Sequence, residues 1–305
     1  MNTVKTTKKH TLSLSRGDKV FMAVDYTLLG LFALLVLYPI VYVISSSFSD
    51  PVKIMEGRVW LYPVGFSLKG YSATFQYSRI WSGFGNSLFY AGVGTIVGLI
   101  MTVLCAYPLS RKDLKGRNAI MFIMSFTLWF SGGMIPSYLL IKDLKLLDSR
   151  WSLIFVAAMS VYNMIIMRTY IENSIPIDIL ESTRLDGCND FKYLWYMVIP
   201  LSKPVIAVLA LYYAVWQWNT YFYAFLYLSN RDKFPLQLIL REILQLNKAE
   251  DMLNSSSLAD IEERLYMSEL LKYTSIVVST LPAALIYPFV QKYFIKGIMI
   301  GAIKG

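Results

Sequence analysis

The amino-acid sequence predicts an all-α, polytopic membrane protein with six transmembrane helices and both termini in the cytoplasm. Three observations predict it. Of 305 residues, 56% are hydrophobic and only 16% are charged, whereas soluble domains average about 45–50% apolar. The apolar residues gather into six runs, at 26–48, 83–110, 119–141, 151–167, 205–228 and 273–291, and a helix needs about 20 such residues to cross a hydrocarbon core. The segments between the runs alternate in Lys/Arg excess, as loops on opposite sides of a bilayer do.

The tail 1–25 carries Lys5, Lys8, Lys9, Arg16 and Lys19 beside the single histidine, His10. No short apolar segment with a small-residue cleavage site follows it, so the run 26–48 reads as an uncleaved first span. After the second run, "RKDLKGRN" packs Arg111, Lys112, Lys115 and Arg117 into one short loop. In the third run, Gly132, Gly133 and Pro136 weaken helical continuity. A bilayer tolerates such breaks where neighbouring groups or a cavity satisfy the freed backbone. The fourth run is short, and Arg168 blurs its end. The hairpin 176–204 adds Arg184, Lys192 and Lys203, and the tail 292–305 adds Lys292, Lys296 and Lys304. The alternate segments 1–25, 111–118, 169–204 and 292–305 hold fifteen Lys/Arg against eight Asp/Glu, while 49–82, 142–150 and 229–271 hold twelve of each. The basic side is the cytoplasmic one. The organisation is then one six-span membrane domain over 26–291 between two cytoplasmic tails, 1–25 and 292–305. The outer loop 229–271 has a partial helical period at Leu258, Ile261, Leu265, Ser268 and Leu271 and reads as a folded external cap. Topology accounts for the net charge of +9; nucleic acid would require a basic face and a binding motif, and the chain has neither.

What the runs lack narrows the function. No Asp, Glu, Lys, Arg or His falls inside any of them. Ion-coupled carriers use ionisable groups or unwound helices near mid-membrane. Cys105 and Cys188 form neither a disulfide framework nor a metal-ligand spacing. There is no Gly-Lys dipeptide, hence no GxxxxGK(S/T) phosphate loop. The chain therefore reads as a non-enzyme with no metal or cofactor of its own. The reading from another class, a polytopic membrane enzyme or assembly factor, would need catalytic groups at membrane depth.

The runs do carry uncharged polar and aromatic groups. "WQWNTYFYAF" supplies Trp216, Gln217, Trp218, Asn219 and Tyr221, and "FTLWFSGGMIPSY" supplies Trp129. Rings cover the C–H face of a sugar and amides bond its hydroxyls, so the set suits a neutral, hydroxyl-rich ligand. The same residues equally suit packing and inter-helix hydrogen bonding, and both readings stand at this point. On a continuous helix Gln217 and Tyr221 share a face at i, i+4, and Trp218 and Tyr221 share one at i, i+3. The Trp218/Tyr221 edge is the preferred one.

The hairpin decides between transport classes. Pro176 suits the first turn of a helix. From 177 to 185 the polar positions fall nearly all round, which suits a helix covered by another protein rather than by lipid. Gly187 can take the left-handed conformation that ends it, and Asp186 or Asp190 can cap the next helix. Phe191, Leu194, Trp195 and Val198 then form an apolar stripe flanked by Tyr193 and Tyr196, as an interfacial helix would. Pro200 and Pro204 end that helix before the fifth run.

These residues resemble a known pattern. "ESTRLDGCNDFKYLWYMVIPLSKP" is similar to the EAA loop of ABC importer permeases: Glu-Ala-Ala, then Asp-Gly, an aromatic residue and Pro-Leu-x-x-Pro. Glu181, Asp186, Gly187, Phe191, Pro200, Leu201 and Pro204 match it. Ser182 and Thr183 replace the two alanines, Arg184 follows them, and Cys188 stands where alanine is usual. "YPIVYVISSSFSDP", "WQWNTYF" and "YPFVQKYFIKGIMIGAIKG" resemble carbohydrate-uptake permeases of the maltose type, in the oligosaccharide branch. The resemblance implies a multi-pass subunit of the bacterial plasma (inner) membrane, in contact with lipid. It implies as partners a second homologous permease, an ATPase dimer that binds ATP and Mg, and an extracytoplasmic sugar-binding lipoprotein, with no nucleic acid. Glu181, Ser182, Thr183, Arg184, Asp186, Gly187 and Phe191 would couple to the ATPase, and Gly301, Lys304 and Gly305 would also reach it. Import of another polar solute by the same architecture is the alternative within this class.

Overall fold

A computed structural model describes residues 15–253, 266, 268–282 and 284–285. The expectations for residues 1–14, for 254–265, for the end of the sixth run and for the tail with Gly301, Lys304 and Gly305 lie outside the described residues. Among the described residues there are helices and no strand. The chain divides into two compact units, Met1–Leu68 and Lys69–Gly305.

The first unit is built on helix α1, Arg16–Ser47. It starts ten residues before the apolar run because Ser15 and Asp18 form a reciprocal capping box, with bonds of 3.2 and 2.9 Å. Its 32 residues give about 48 Å at 1.5 Å per residue, more than a hydrocarbon core requires. The serines after it tie a tight knot. Ser49 Oγ donates to Ser45 O at 2.7 Å and accepts from Val64 N at 3.1 Å. Asp50 caps the short α2, Pro51–Met55, through Val52 N at 2.9 Å.

In the second unit α3, Lys69–Gln76, leads into the long α4, Ser78–Ser110. Helix α4 is the spine. Asn86, Tyr90, Gly94, Gly98, Thr102, Ala106 and Ser110, each four residues from the next, are all buried along it. The middle of this stripe is small, so another backbone can approach closely. That backbone is α12, Lys203–Trp218. A Cβ added at Gly94 would lie 2.4 Å from Gln217 Nε2, and one at Gly98 would lie 2.8 Å from Tyr213 Cδ1. The Tyr213 hydroxyl is held at 2.6 Å from Thr102 Oγ1 and accepts from Ser160 N at 3.0 Å.

Two of the predicted runs are bent, and a third bend lies where the hairpin meets the fifth. Helices α5, Arg117–Trp129, and α6, Met134–Asp143, meet at 113°. Gly133 sits between them at φ +86°, so the Gly-Gly pair breaks the third run as its composition predicts. Helices α7, Arg150–Val156, and α8, Val161–Ser174, meet at 51°. The segment Asp190–Leu201 meets α12 at 81°. Two helices among the described residues are long and apolar enough to cross a membrane, and up to five spans result if each bent pair is one.

Two apolar clusters form around the spine. One holds Val103, Tyr107, Met164, Met167, Leu194 and Leu209. The other joins Tyr90, Leu153, Ile154 and Trp218 to Tyr227 and Ile239, from α13, Phe222–Tyr227, and α14, Leu236–Leu253. A polar knot adjoins the second cluster. Asn86 Nδ2 donates to the carbonyls of Asp232 and Phe234 at 2.7 and 3.0 Å, and Arg150 donates to Asn86 Oδ1 at 3.0 Å. Asp148 accepts from Ser229 N, Asn230 N and Lys233 Nζ at 3.1, 2.9 and 2.9 Å.

The close approach of α4 and α12 gives a direct test. Gly98→Ala is expected to destabilise the fold by roughly 1–3 kcal/mol, the usual cost of over-packing, read as a lower thermal unfolding midpoint in detergent. Gly92→Ala, whose added Cβ meets nothing within 4 Å, should leave that midpoint unchanged or slightly raised. Equal midpoints for both variants would contradict the packing described.

Candidate functional site

The hairpin begins at α9, Ile177–Leu185. Pro176 is the residue before the first turn, at φ −59° and ψ 142°, rather than within that turn. Gly187 adopts φ +77° and closes a Schellman turn. Gly187 N donates to Arg184 O and Cys188 N to Thr183 O, both at 3.0 Å, which satisfies the carbonyls a helix end leaves open. The next helix, α10, Asp190–Tyr193, is capped by Asn189, which accepts from Lys192 N at 2.8 Å. Neither Asp186 nor Asp190 caps it. Asp186 is the C-cap of α9, and the Asp190 carboxylate is engaged by an arginine.

Leu180 and Thr183 turn inward on α9, while Glu181, Ser182, Arg184, Asp186 and Gly187 are exposed and Leu185 is 90% exposed. Ser182 Oγ bonds back to Asp178 O at 2.9 Å, and Thr183 Oγ1 to Ile179 O at 2.9 Å. Both hydroxyls are thus absorbed by their own helix, and Ser182, the exposed one of the two, presents outward a group about the size of a small apolar side chain. Beyond α10 the chain forms a wider π turn over Leu194–Val198, then α11, Ile199–Leu201. Pro200 has no N–H for the carbonyl one turn back, and its ring crowds that turn, which accounts for the widening. Helix therefore continues through Pro200, and the bend falls at Ser202. The predicted stripe divides: Leu194 and Val198 are buried, whereas Phe191, Trp195 and Tyr196 are exposed.

A lattice of charges fastens the hairpin to the loop after α4. Arg111 donates to Asp113 at 2.6 Å, to Asp190 at 2.8 Å and to the Tyr107 hydroxyl at 3.0 Å. Arg184 reaches Asp113 at 3.2 Å. Glu172 receives both Arg168, at 2.7 Å, and Arg117, at 3.0 Å. The hydrogen bond from Arg111 pushes the Asp113 carboxyl down to about 2. Sequence reasoning used Arg111 and Arg117 only as topology markers. The signal it passed over is the acidic residue within each neighbouring polar segment.

The second set of candidate residues surrounds the end of α12. Helix α12 stops at Trp218 and α13 starts at Phe222, so the fifth run is broken rather than continuous. Asn219 Nδ2 bonds to Val215 O and Thr220 Oγ1 to Trp216 O, both at 2.9 Å, in competition with the helical ladder. Trp216, Asn219, Thr220, Tyr221 and Tyr223 line a cavity of about 630 Å³. Trp216 and Tyr223 rings lie 5.8 Å apart, and Tyr223 stacks in turn on Tyr227 at 6.1 Å. Trp218 points elsewhere. It is 5% exposed, packs edge-on against Phe84 at 5.7 Å, and donates from Nε1 to Ser279 O at 2.8 Å. Gln217 is buried against Gly94, and among the described residues neither amide atom has a hydrogen-bond partner. Trp129 is 85% exposed at the bend between α5 and α6. Among the described residues, no group of His, Cys, Asp and Glu is arranged to hold a metal ion.

Comparison with known proteins supplies the context. Residues 11–300 match the family described as "Binding-protein-dependent transport system inner membrane component". The chain is 40% identical over 292 residues to the polygalacturonan/rhamnogalacturonan transport system permease protein YtcP of Bacillus subtilis (strain 168), covering 94% of this chain and 99% of that one. It is 36% identical over 296 residues to protein LplC of the same organism, covering 97% and 99%. A solved bacterial ABC transporter involved in the import of the acidic polysaccharide alginate contains a similar chain. The two are 38% identical with a TM-score of 0.82, over 93% of this chain and all of that one.

The charge lattice is testable by a double-mutant cycle. Arg111→Ala and Asp190→Ala are each expected to cost about 1–3 kcal/mol, toward the lower end because Asp190 is more than half exposed. The double variant should cost less than the sum, since one bond is lost only once; strictly additive losses would contradict the pairing. The Asp113 carboxyl, lowered from 3.8 to about 2, stabilises the folded state fully above the ordinary carboxylate range. That contribution is lost as pH falls toward and through about 2. Acid unfolding of Asp113→Asn should lack that component.

Proposed function

We propose, from the premise that this chain belongs to the family of binding-protein-dependent transport system inner membrane components, that it is the mechanical subunit of an oligosaccharide importer. Membership makes it a membrane subunit of the inner membrane, with ATP hydrolysis carried by a separate partner. In this reading the chain crosses the membrane six times with both termini in the cytoplasm. It pairs with a second homologous permease, rests on an ATPase dimer that binds ATP and Mg, and receives sugar from an extracytoplasmic binding lipoprotein. The six-span domain runs over 26–291 between the tails 1–25 and 292–305.

The observation that carries this reading is the outward face of α9. A helix anchored by Leu180 and Thr183, ended by a Schellman turn and offering Glu181, Arg184, Leu185 and Asp186 outward, is a rigid knob rather than a loop. A knob seated in a cleft of a moving partner transmits that motion to whatever it is fastened to, and two ion pairs fasten the hairpin to the end of α4 and the loop after it, Arg184 of α9 to Asp113 and Asp190 of α10 to Arg111. Phe191 extends the contact, and Gly301, Lys304 and Gly305 of the tail are assigned to the same partner. The sugar path follows the cavity at the broken fifth run. Trp216, Asn219 and Tyr221 offer ring faces and an amide there, and Trp129 stands at the bend of the third run. Gln217 and Trp218 act behind the wall as packing residues.

Reconstitution of this chain with its partner permease, ATPase and binding protein in liposomes tests the reading. Oligosaccharide uptake should require ATP and loaded binding protein, and should vanish when this chain is omitted; uptake without the ATPase would overturn it. Gly187→Val strains a left-handed residue by about 1–2 kcal/mol in a place where the added Cβ touches nothing. It is expected to keep membrane levels while lowering binding-protein-stimulated ATP hydrolysis. Trp216→Ala should slow uptake of some oligosaccharides more than others, whereas Trp218→Ala should lower membrane levels and reduce uptake of all of them alike.

A further inference from the structure

The bend at Ser202 fixes how the second half of the hairpin lies. The segment Asp190–Leu201 meets α12 at 81°, and Lys203 and Pro204 stand immediately before the fifth apolar run, 205–228. With α12 crossing the bilayer, as the six-span reading has it, the segment runs nearly parallel to the membrane plane, at the level where the span begins. Its two faces differ. Tyr193, Leu194 and Val198 are buried against the core, whereas Phe191, Lys192, Trp195 and Tyr196 are exposed and line a hollow of about 470 Å³. Lys192 stands three and four residues before Trp195 and Tyr196, on one side of the helix with them. The Trp195 ring in turn lies 6.3 Å from that of Phe191. Among the described residues neither Lys192 nor Lys203, which flank the rings, has a carboxylate partner. The acid beside Lys192, Asp190, is held by Arg111 at 2.8 Å.

The chemistry of the exposed face selects its partner. Trp and Tyr rings are amphipathic and settle at headgroup level, and a lysine beside them keeps its ammonium among the phosphates. A helix lying in the interface presents that combination on the side away from its own protein. Interfaces between proteins also use Trp and Tyr, but they are depleted in lysine. The contact with the ATPase is assigned to α9, on the other side of the turn at Gly187, and Phe191 marks the end of the segment nearest to it. Because Arg111 neutralises Asp190, no free carboxylate on α10 repels an anion from Lys192. We propose that this face is a lipid-binding surface, with Trp195 and Tyr196 in the headgroup boundary and Lys192 on the phosphate of an anionic phospholipid seated in the hollow. The hairpin then has an attachment to the membrane surface besides its ion pairs to the end of α4. This inference rests on the six-span reading and adds a lipid site, the chemical class of the lipid and the residues that hold it.

Photocrosslinking in the assembled transporter tests the surface, in nanodiscs of phosphatidylglycerol and phosphatidylcholine in equal amounts. Trp195 or Tyr196 is replaced by p-benzoylphenylalanine, another bulky aromatic residue, and the adducts are identified by mass spectrometry. Both positions should acquire phospholipid. Phosphatidylglycerol should be taken about fivefold more often than phosphatidylcholine, the share of one basic side chain at an anionic surface. With Lys192→Gln added, the two lipids should be taken nearly alike, and Lys192→Arg should keep the preference. An adduct with the ATPase or the second permease in place of lipid would give the face to that partner and overturn the proposal. Equal adducts with both lipids in the chain that retains Lys192, or a preference that survives Lys192→Gln, would mean that the lysine selects no headgroup; either overturns it as well. The same probe in place of Phe32, in the middle of α1, separates this inference from the reading beneath it. Lipid adducts at 32 but not at 195 and 196 would sink the inference and leave the six-span reading standing. No lipid adduct at 32 would mean that the first span is not in lipid, and the six-span reading would fail together with the inference.

Discussion

The second unit depends on one contact, the meeting of α4 and α12 across Gly94 and Gly98. In lipid no hydrophobic effect pulls two helices together, so association rests on van der Waals contact and on polar groups that find partners. Both are available only at short range. The two glycines admit Gln217 and Tyr213 to the surface of α4, and that proximity lets the Tyr213 hydroxyl reach Thr102 and, on a third element, the amide of Ser160. The Ser160 amide lies at the N-cap of α8, where a helix leaves donors unsatisfied. One side chain thus joins α4, α12 and the break before α8.

Because α4 is 33 residues long, roughly 50 Å at 1.5 Å per residue, it extends well beyond this contact in both directions. Its first turns hold Asn86 and Tyr90, bonded to the carbonyls of Asp232, Lys233 and Phe234. Its last turn holds Tyr107, and its C-cap, Arg111, ties in the hairpin. A continuous helix fixed at its middle and bonded at both ends is stiff along its axis. The knob on α9 and the polar knot around Asn86 are therefore attached to the same rigid member.

The parts of this arrangement that were legible in the sequence are those decided by local backbone preference. Gly187 ends α9 and Gly133 bends the third run because a positive φ is cheap only there. The four-residue spacing of Gly94 and Gly98 was equally readable, as a small-residue stripe, and went unread. What was not legible depends on partners far along the chain. Arg111 meets an aspartate 79 residues away, and Trp218 donates to a carbonyl 61 residues away, so neither role has a local signature. The cap at Asn189 instead of Asp190 follows from the first of these, because the aspartate is drawn off to the arginine. The break after Trp218 lies between the two cases. Asn219 and Thr220 carry the competing hydrogen-bonding groups locally, but on a continuous apolar run they read as ordinary span residues.

The wide turn over Leu194–Val198 has a consequence for alignment. In a regular α-helix a step of four residues overshoots a full turn by about 40°, and two such steps by about 80°. Leu194, Val198 and Ser202 are separated by two steps of four, yet all three are buried, at 4%, 0% and 0% exposure. The wider turn reduces the overshoot between Leu194 and Val198, and an ordinary α-helical bond of 2.9 Å from Ser202 N to Val198 O carries the next step. An even α-helical winding over Leu194–Val198 would rotate Ser202, the pivot of the 81° bend, relative to Leu194, and α12 beyond it would leave in a different direction. The wide turn therefore sets the phase at which α12 leaves the hairpin.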